Sequence, residues 1–490
     1  KEKVSAFAMA NVGYKDMVYL DGTIRNDWSS TLSPGNNSYF YWSTGLSFIL
    51  TQAFDIPKEI LTFGKLRGSV ATVGNDAPFD SLYDGLNLSS TYLGMPYYMT
   101  DNIRKNPNLK PEQTTSYEVG ADFRFWNNRI SVDFTYYWKS TTDQIMRASV
   151  SSASGYKERY VNAGEIQNRG AELTASITPV KTKNFEWTTI FNWSKNNSKV
   201  VSLTPGVDRY QVRAAGADGC ISYVEVGKPY GQMYGTDWQR DAAGNVIADV
   251  SGKPLEQKDV YIGCVEPDFL GGWKNQFRYK GFDFSFLFDF KKGGLFYSET
   301  AYKANNMGNS IKSLEGRDEY FFSKWVLDES DQERAGYLRP TDVPFPADAQ
   351  ANRVPYMDGS RPKGVYFPGR VFEASIEGLG GQPVVNDWVK PDVMFCHISG
   401  RNAKMNTYDA TYVKLREVAL GYTFPKKLLR KTPFQSLRLS AVGRNLAILF
   451  QNTPQGIGPE ATSTTGNGQG FEQGYPLPTA TYGFDLKVTF

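Results

Sequence analysis

At 490 residues the chain could hold about three average domains, although all-β barrels also run this long as a single unit. Aromatics make up 14% of it, with 30 Tyr, 31 Phe and 46 Gly, a composition suited to strands joined by turns. The net charge of +3 excludes a strongly polyanion-seeking protein, and no window of about 18 consecutive apolar residues supplies a transmembrane helix. Cys220, Cys264 and Cys396 are too few and too scattered for a disulfide framework or a thiolate cluster; whether Cys220 and Cys264 pair is left open by spacing. A mean hydropathy of -0.44 still allows a membrane barrel, because only every second residue of a barrel strand faces lipid.

In chain order, Val4 to Tyr14 and Val18 to Trp28 alternate around Lys15-Asp16 and predict a hairpin. Phe40, Trp42, Leu46, Phe48 and Leu50 share one parity and give a third strand; a connection through Pro57 leads to a weaker one near Leu66 to Asn75. After the polar, Gly- and Pro-containing stretch Asp76 to Lys110, Tyr117, Val119, Ala121, Phe123 and Phe125 alternate with Glu118, Gly120, Asp122 and Arg124. Asn127-Asn128 makes a turn, and Ile130, Val132, Phe134, Tyr136 and Trp138 return against Arg129, Ser131, Asp133, Thr135 and Tyr137. Neighbouring strands thus oppose aromatics with more charges than a closed core tolerates, so the polar face must meet water.

Ala171 to Ile177 and Phe185 to Trp193 flank a short turn at Pro179 to Asn184, and another long loop follows from Val201 to Pro267. Phe269 to Tyr279, the turn Lys280-Gly281, and Phe282, Phe284, Phe286, Phe288 and Phe290 against Asp283, Ser285 and Asp289 form the next hairpin. Five Phe of one parity are an aggregation hazard in water and at home against lipid. Gly293 to Tyr408 lacks alternation and reads as an elaborated loop. Val413 and Leu415 are followed by Val418, Leu420, Tyr422 and Phe424, a change of parity at Arg416-Glu417 that is either a β-bulge or the strand's entry into the wall. Leu437, Leu439 and Ala441 come next, then a Gly- and Pro-rich loop from Gln451 to Pro478.

The last strand carries Tyr482, Phe484, Leu486, Val488 and Phe490 against Gly483, Asp485, Lys487 and Thr489. Alone it favours a soluble sheet over an outer-membrane wall, since most alternating strands belong to soluble sheets; recurrence and loop arrangement decide. About thirteen strands of membrane-spanning length are joined by connections that go long and short in turn, as in a transmembrane β-barrel with short periplasmic turns and long outer loops. The expected architecture is therefore all-β: a transmembrane antiparallel barrel with large extracellular loops near 76–110, 201–267, 294–408 and 451–478, and Phe490 on the periplasmic side. Because bacterial barrels have even strand numbers, an odd count predicts that these strands are the C-terminal part of a larger barrel.

Six runs carry a family resemblance: NPNLKPEQTTSYEVGADF (Asn106 to Phe123), YVNAGEIQNRGAEL (Tyr160 to Leu173), YGQMYGTDWQRDAAGN (Tyr230 to Asn245), PDFLGGWKNQFRYKGFDFSFLFDF (Pro267 to Phe290), YVKLREVALGYTFP (Tyr412 to Pro425) and LRLSAVGRNL (Leu437 to Leu446). In this order, with the terminal Phe490, the chain resembles the SusC/RagA family of TonB-dependent outer-membrane transporters of Bacteroidetes. The resemblance implies the last thirteen strands of a 22-stranded barrel that imports oligosaccharides or peptides, with a SusD-like surface lipoprotein as lid and energy passed from TonB. Nothing in these residues resembles the family's plug domain or TonB box, so the gate is not located here. A last strand ending in Phe also resembles the barrel-assembly signal of outer-membrane proteins, which would be carried by Tyr482, Phe484, Leu486, Val488 and Phe490.

Residues that suggest chemistry have plainer readings. A single His, His397, disposes of His-based metal sites and of most Ser-His nucleophiles. Asp328, Glu329 and Asp331 read as solvated loop charges, and Gly378 to Gly381 lack the Lys-Ser/Thr of a phosphate loop. Asp241, Asn245 and Asp249 have calcium-like spacing but fit ordinary turn chemistry better. Neither a metal nor a cofactor is expected, and no catalytic residue is proposed. Substrate contacts are expected from loop residues Tyr234, Asp237, Trp238, Arg240, Tyr297 and Trp325, which could equally pack the loops together. The alternatives to import are a secreted soluble β-rich glycan-processing enzyme, which needs a carboxylate pair in a cleft, and an outer-membrane adhesin or structural barrel without transport.

Overall fold

The computed structural model describes residues 1–215, 219–244, 246–248, 254–310, 371–372, 402–454, 456–461, 468–474 and 479–490. Thirteen strands make one sheet in which each strand but the first and last pairs with its predecessor and its successor in the wall. They are β1 (Lys3–Tyr14), β2 (Val18–Ser29), β3 (Ser38–Ile49), β4 (Leu61–Asn75), β5 (Glu112–Phe125), β6 (Ile130–Thr142) and β7 (Glu165–Lys181). The wall continues with β8 (Phe185–Ser202), β9 (Pro267–Tyr279), β10 (Phe282–Gly293), β11 (Tyr412–Thr423), β12 (Ser436–Gln451) and β13 (Thr481–Thr489). All pairings are antiparallel, and β1 and β13 form the two edges.

Register hands the two faces on from strand to strand. Phe284 lies opposite Phe277 and Leu420, while Asp283 lies opposite Arg278 and Gly421. On the greasy side the rings of β8 to β11 form a belt, with Trp187 stacked on Phe277 at 5.9 Å, Trp273 on Phe288 at 5.8 Å and Phe282 against Tyr422 at 4.5 Å. Among the described residues no second layer covers this side: Phe282 is 53% and Phe484 85% exposed. Surface of this kind is stable only where its surroundings are as apolar as it is.

Turn chemistry closes one end of the wall. Lys15 and Asp16, in the three-residue loop between the paired Tyr14 and Val18, both adopt positive φ (50° and 55°), which matches the twist of the flanking strands, and Asn127, Asn128 and Lys280 do the same at their turns. The expected parity change on β11 is a β-bulge, since Leu287 pairs with Glu417 and Phe288 with Leu415, leaving Arg416 as the extra residue. A second irregularity falls between Ile177 and Val180, where Pro179 has no N–H to give the ladder; β7 therefore continues to Lys181, two residues past the expected turn at Pro179.

The other end carries the long connections, and these hold more structure than alternation suggests. Leu86–Tyr92 and Met95–Thr100 form a hairpin between β4 and β5, and Ile145–Ser149 pairs with Glu158–Asn162 between β6 and β7. Between β8 and β9, Arg209–Ala215, Cys220–Glu225, Gln232–Trp238 and Glu256–Cys264 make a four-stranded sheet. A short helix, Glu299–Asn306, follows β10; its N-cap Ser298 accepts from the Ala301 N–H.

Buried apolar side chains collect in these connections and at the loop ends of the strands that carry them, such as Ile166 of β7 and Val200 of β8. Ala215, Cys220, Met233, Tyr297, Ala403 and Phe471 form one cluster that joins three of them into a roof. Leu32, Ala77, Leu82 and Leu109, with Tyr39 of β3, form another, built from the first part of the chain.

Candidate functional site

On the polar side of the wall, charges reach one another across intervening strands. Arg67 of β4 makes a two-pronged pair with Asp133 of β6, at 2.9 and 2.7 Å, passing over Gly120 of β5. A Cβ at Gly120 would sit 2.7 Å from the Arg67 Nε. The same arrangement joins Asp283 of β10 to Arg438 of β12 at 2.5 Å, over Gly421 of β11. Pairing neutralises charges that would otherwise line the water-filled side singly.

Where the bulge lifts Arg416 out of register, its guanidinium binds both Asp289 of β10 and Glu460 of the connection to β13. Lys414, 3% exposed, also pairs with Glu460, and Tyr412 donates its hydroxyl to Glu460 at 3.0 Å. The last connection is thus anchored down into the polar side of the wall. Burial would raise the Glu460 carboxyl, but hydrogen bonds from Arg416 and Lys414 outweigh it and hold the group below the ordinary range.

A niche of about 430 Å³ opens on the polar side at the loop end of β7 and β8. Its floor is Asn168 of β7 with Asn196 and Ser198 of β8; Val265, Glu266 and Pro267 form one flank, and Gln144, Tyr230 and Gln469 come from three different connections. The floor is wired. The Tyr137 hydroxyl of β6 donates to Asn196 Oδ1 at 3.1 Å, passing over Gly170, where a Cβ would collide with the phenol oxygen. Asn196 Nδ2 donates to Asn168 Oδ1 at 3.0 Å and to Glu266 Oε1 at 2.5 Å. Ser198 gives its N–H and its hydroxyl to Glu266 Oε2, at 3.2 and 2.7 Å, and its Oγ accepts from the Tyr230 N–H at 2.8 Å.

Burial pushes the Tyr230 phenol far above its ordinary value, so it stays neutral. Burial likewise raises the Cys264 thiol, which donates to the Tyr230 carbonyl at 3.4 Å. Cys264 and Cys220 are not bonded to each other.

The loop residues singled out from sequence sit mostly inside the roof. Tyr297 is wholly buried, Trp238 is 3% exposed, and Asp237 accepts from Lys404 Nζ at 2.7 Å and from Asn402 Nδ2 at 3.3 Å. Tyr234 donates its hydroxyl to Glu225, with Arg209 at 5.4 Å and Lys228 at 5.7 Å over its ring, so its faces are already occupied. Arg240 is exposed and donates to the Gly244 carbonyl at 3.1 Å. Asp241 Oδ1 accepts from the Ala243 N–H at 3.0 Å, the turn chemistry expected of it. Trp325, Asn245, Asp249, Asp328, Glu329, Asp331, Gly378 to Gly381, Cys396 and His397 lie outside the described residues.

Of the terminal set, Tyr482, Phe484, Leu486 and Phe490 are 62% exposed or more, on the greasy side of the edge strand. The niche itself escaped notice in the sequence. Its one local signal is the run of amide and hydroxyl side chains on the polar parity of β7 and β8, at Asn168, Asn196 and Ser198.

Residues 1–255 match the family model described as TonB dependent receptor-like, beta-barrel. A TonB-dependent receptor of Formosa agariphila is 26% identical over 523 aligned positions, covering 99% of this chain and 45% of the relative. TonB-dependent receptor SusC of Bacteroides thetaiotaomicron is 29% identical over 305, covering 58% of this chain and 30% of SusC. Among solved structures, the RagAB peptide transporter matches with a TM-score of 0.67 at 19% identity, over 98% of this chain and 47% of that one, a likeness of fold. The chain spans about half the length of the curated relatives that it matches end to end.

Proposed function

Since the chain belongs to the TonB-dependent receptor β-barrel family and is an outer-membrane protein of SusC-like type, we propose that it forms part of an import barrel. The whole protein would carry oligosaccharides or peptides inward, with a plug and TonB contact supplied by the rest of the receptor and a SusD-like lipoprotein as its outer lid. The wall would close as a 22-stranded barrel, with β1 and β13 meeting the remaining strands. One observation supports this above others: a wall with a bare aromatic side and an ion-paired, niched polar side, roofed by connections that reach into it. A structural barrel needs the first side but has no use for a built recess on the second. The named relatives are receptors and transporters rather than enzymes, in line with the absence of any expected catalytic residue.

The test is uptake. Cells lacking the gene should lose import of the molecule that co-purifies with the protein, and deletion of TonB should abolish it to the same degree. Import that persists in either strain overturns the transport role, and a surface lipoprotein that does not co-purify overturns the lid.

A further inference from the structure

The chemistry of the niche narrows what it can hold. Its polar lining is made of side-chain amides (Gln144, Asn168, Asn196, Gln469), the hydroxyls of Ser198 and Tyr230, and one carboxylate. Asn196 spends its amide within the floor and Asn168 its oxygen, so the Gln144 and Gln469 amides and the Asn168 Nδ2 are left to face a ligand, donors and acceptors of the kind wanted by hydroxyl groups, which both give and take. No Lys or Arg is among the described lining residues, so an acidic ligand would meet Glu266 with no cation among them to offset the repulsion. Nor does Glu266 call for a cationic ligand: Asn196 Nδ2 and the Ser198 N–H and hydroxyl already give it three donors. Ile166, Val265, Pro267 and the Tyr230 ring add an apolar flank. At about 430 Å³ the space lies within the range of small-molecule sites, roughly 300–1,000 Å³.

We propose that this niche is a binding subsite for a neutral, hydroxyl-rich ligand, a short stretch of uncharged oligosaccharide whose hydroxyls meet the amides and whose C–H faces lie on Tyr230 and Pro267. The proposal rests on the import reading and sharpens it, because it sets aside acidic glycans and acidic peptides for this part of the passage and leaves the choice against a neutral peptide to the titration. Asn168 and Asn196 hold the floor rigid, so a ligand entering here loses little to reorganisation of the site.

The experiment is calorimetric titration of the full-length receptor in detergent with neutral hexaoses of glucose, mannose, galactose and xylose, with hexagalacturonate, and with tetra-alanine. At least one neutral hexaose should bind, while hexagalacturonate and tetra-alanine should not. Gln144→Ala, which leaves β7 and β8 untouched, and Asn168→Ala should each weaken that binding about tenfold, the equivalent of one lost hydrogen bond. Gln144→Lys should shift preference toward hexagalacturonate. Absence of binding by every neutral hexaose, binding confined to the acidic or peptide probes, or neutral binding that survives both alanine variants overturns the proposal. TonB-dependent uptake is scored separately. A receptor that imports peptides or acidic glycans keeps the import reading and loses this one, and the reverse pattern shows a niche without import.

Discussion

The wall and the roof of this protein are held together by different means. In the wall, backbone ladders carry the structure and side chains need only belong to the right class for their face, as the succession of Phe on β10 and of Leu, Ala and Phe across β12 and β13 shows. In the roof, particular atoms do it. Glu472, 2% exposed, accepts from the Ser298 hydroxyl at 2.6 Å, the Thr300 N–H at 3.2 Å and the Thr300 hydroxyl at 2.6 Å, a set that asks for two acceptor oxygens at this reach. A pattern tolerates substitution within a class; a set of specific bonds does not.

The largest effect expected is at the greasy side. Phe286→Arg places a charge against hydrocarbon midway along β10 and should cost about 2–4 kcal/mol, enough to leave most of the protein unassembled. Ser285→Arg, one residue away on the polar side, should assemble normally. The heat-modifiable folded fraction recovered from outer membranes measures both, and equal losses would mean that the two sides are not what they are taken to be.

Next comes the roof. Glu472→Ala leaves three donors without their acceptor, each costing about 1–3 kcal/mol when buried, and should free the helix Glu299–Asn306 and its approach. Amide exchange in residues 295–306 should quicken while that of β10 and β11 stays put. Wall exchange that rises in step would show that roof and wall unfold as one unit.

The same contrast explains what could be read in the sequence. The thirteen strands, their turns and their two sides were legible because period-two alternation is local: five Phe in β10, or the slip of parity at Arg416, declare themselves within a dozen residues. The sheet Arg209 to Cys264 was not: Gln232–Trp238 is buried on both faces, and Cys220–Glu225 buries Ser222 on the same side as Cys220 and Val224, so apolar alternation is lost in both. Nor was the burial of Tyr297 and Asp237, because their partners are remote. Ser298 and Glu472 lie 174 positions apart and Asp237 and Asn402 165, and no periodicity connects such distances. The niche combines the two cases: its floor lies on a readable parity, and its flanks come from connections that meet only in three dimensions.

A smaller effect should appear where roof meets wall, and it depends on pH. Because Glu460 titrates below its ordinary value, about 4.3, when paired with Arg416 and Lys414, its contribution is complete above that value and is lost as pH falls through the depressed one. Acidification from pH 7 to about 3 should therefore loosen residues 456–461 with β10 to β12 intact, as judged by proteolysis of that segment. Glu460→Gln should show the loosening at neutral pH and no further acid step; a variant that keeps the acid step would assign it to another carboxylate.

The smallest effect tests the wall's own use of specific contacts. Glycine within a strand is ordinarily a weakness, and replacing it with alanine stiffens the unfolded chain, a gain of roughly 0.4–1 kcal/mol where the new methyl has room. Gly483 of β13 has such room, with nothing within 4 Å of the added Cβ. Gly421 does not: its Cβ would fall 2.6 Å from Asp283 Oδ2 and 2.7 Å from Arg438 Nη2, so the pair must splay. Since both partners keep about a third of their side-chain surface in water, the pair itself contributes about 1 kcal/mol at most, and Gly421→Ala should lose what Gly483→Ala gains. In urea titrations of the vesicle-reconstituted receptor, Gly483→Ala should raise the midpoint slightly and Gly421→Ala lower it slightly. In an Asp283→Asn, Arg438→Gln background the Gly421→Ala loss should vanish, because the atoms that the methyl displaces no longer form a charge pair. A loss that persists there would place the strain in the β11 backbone, and the polar side would then be as much a matter of pattern as the greasy one.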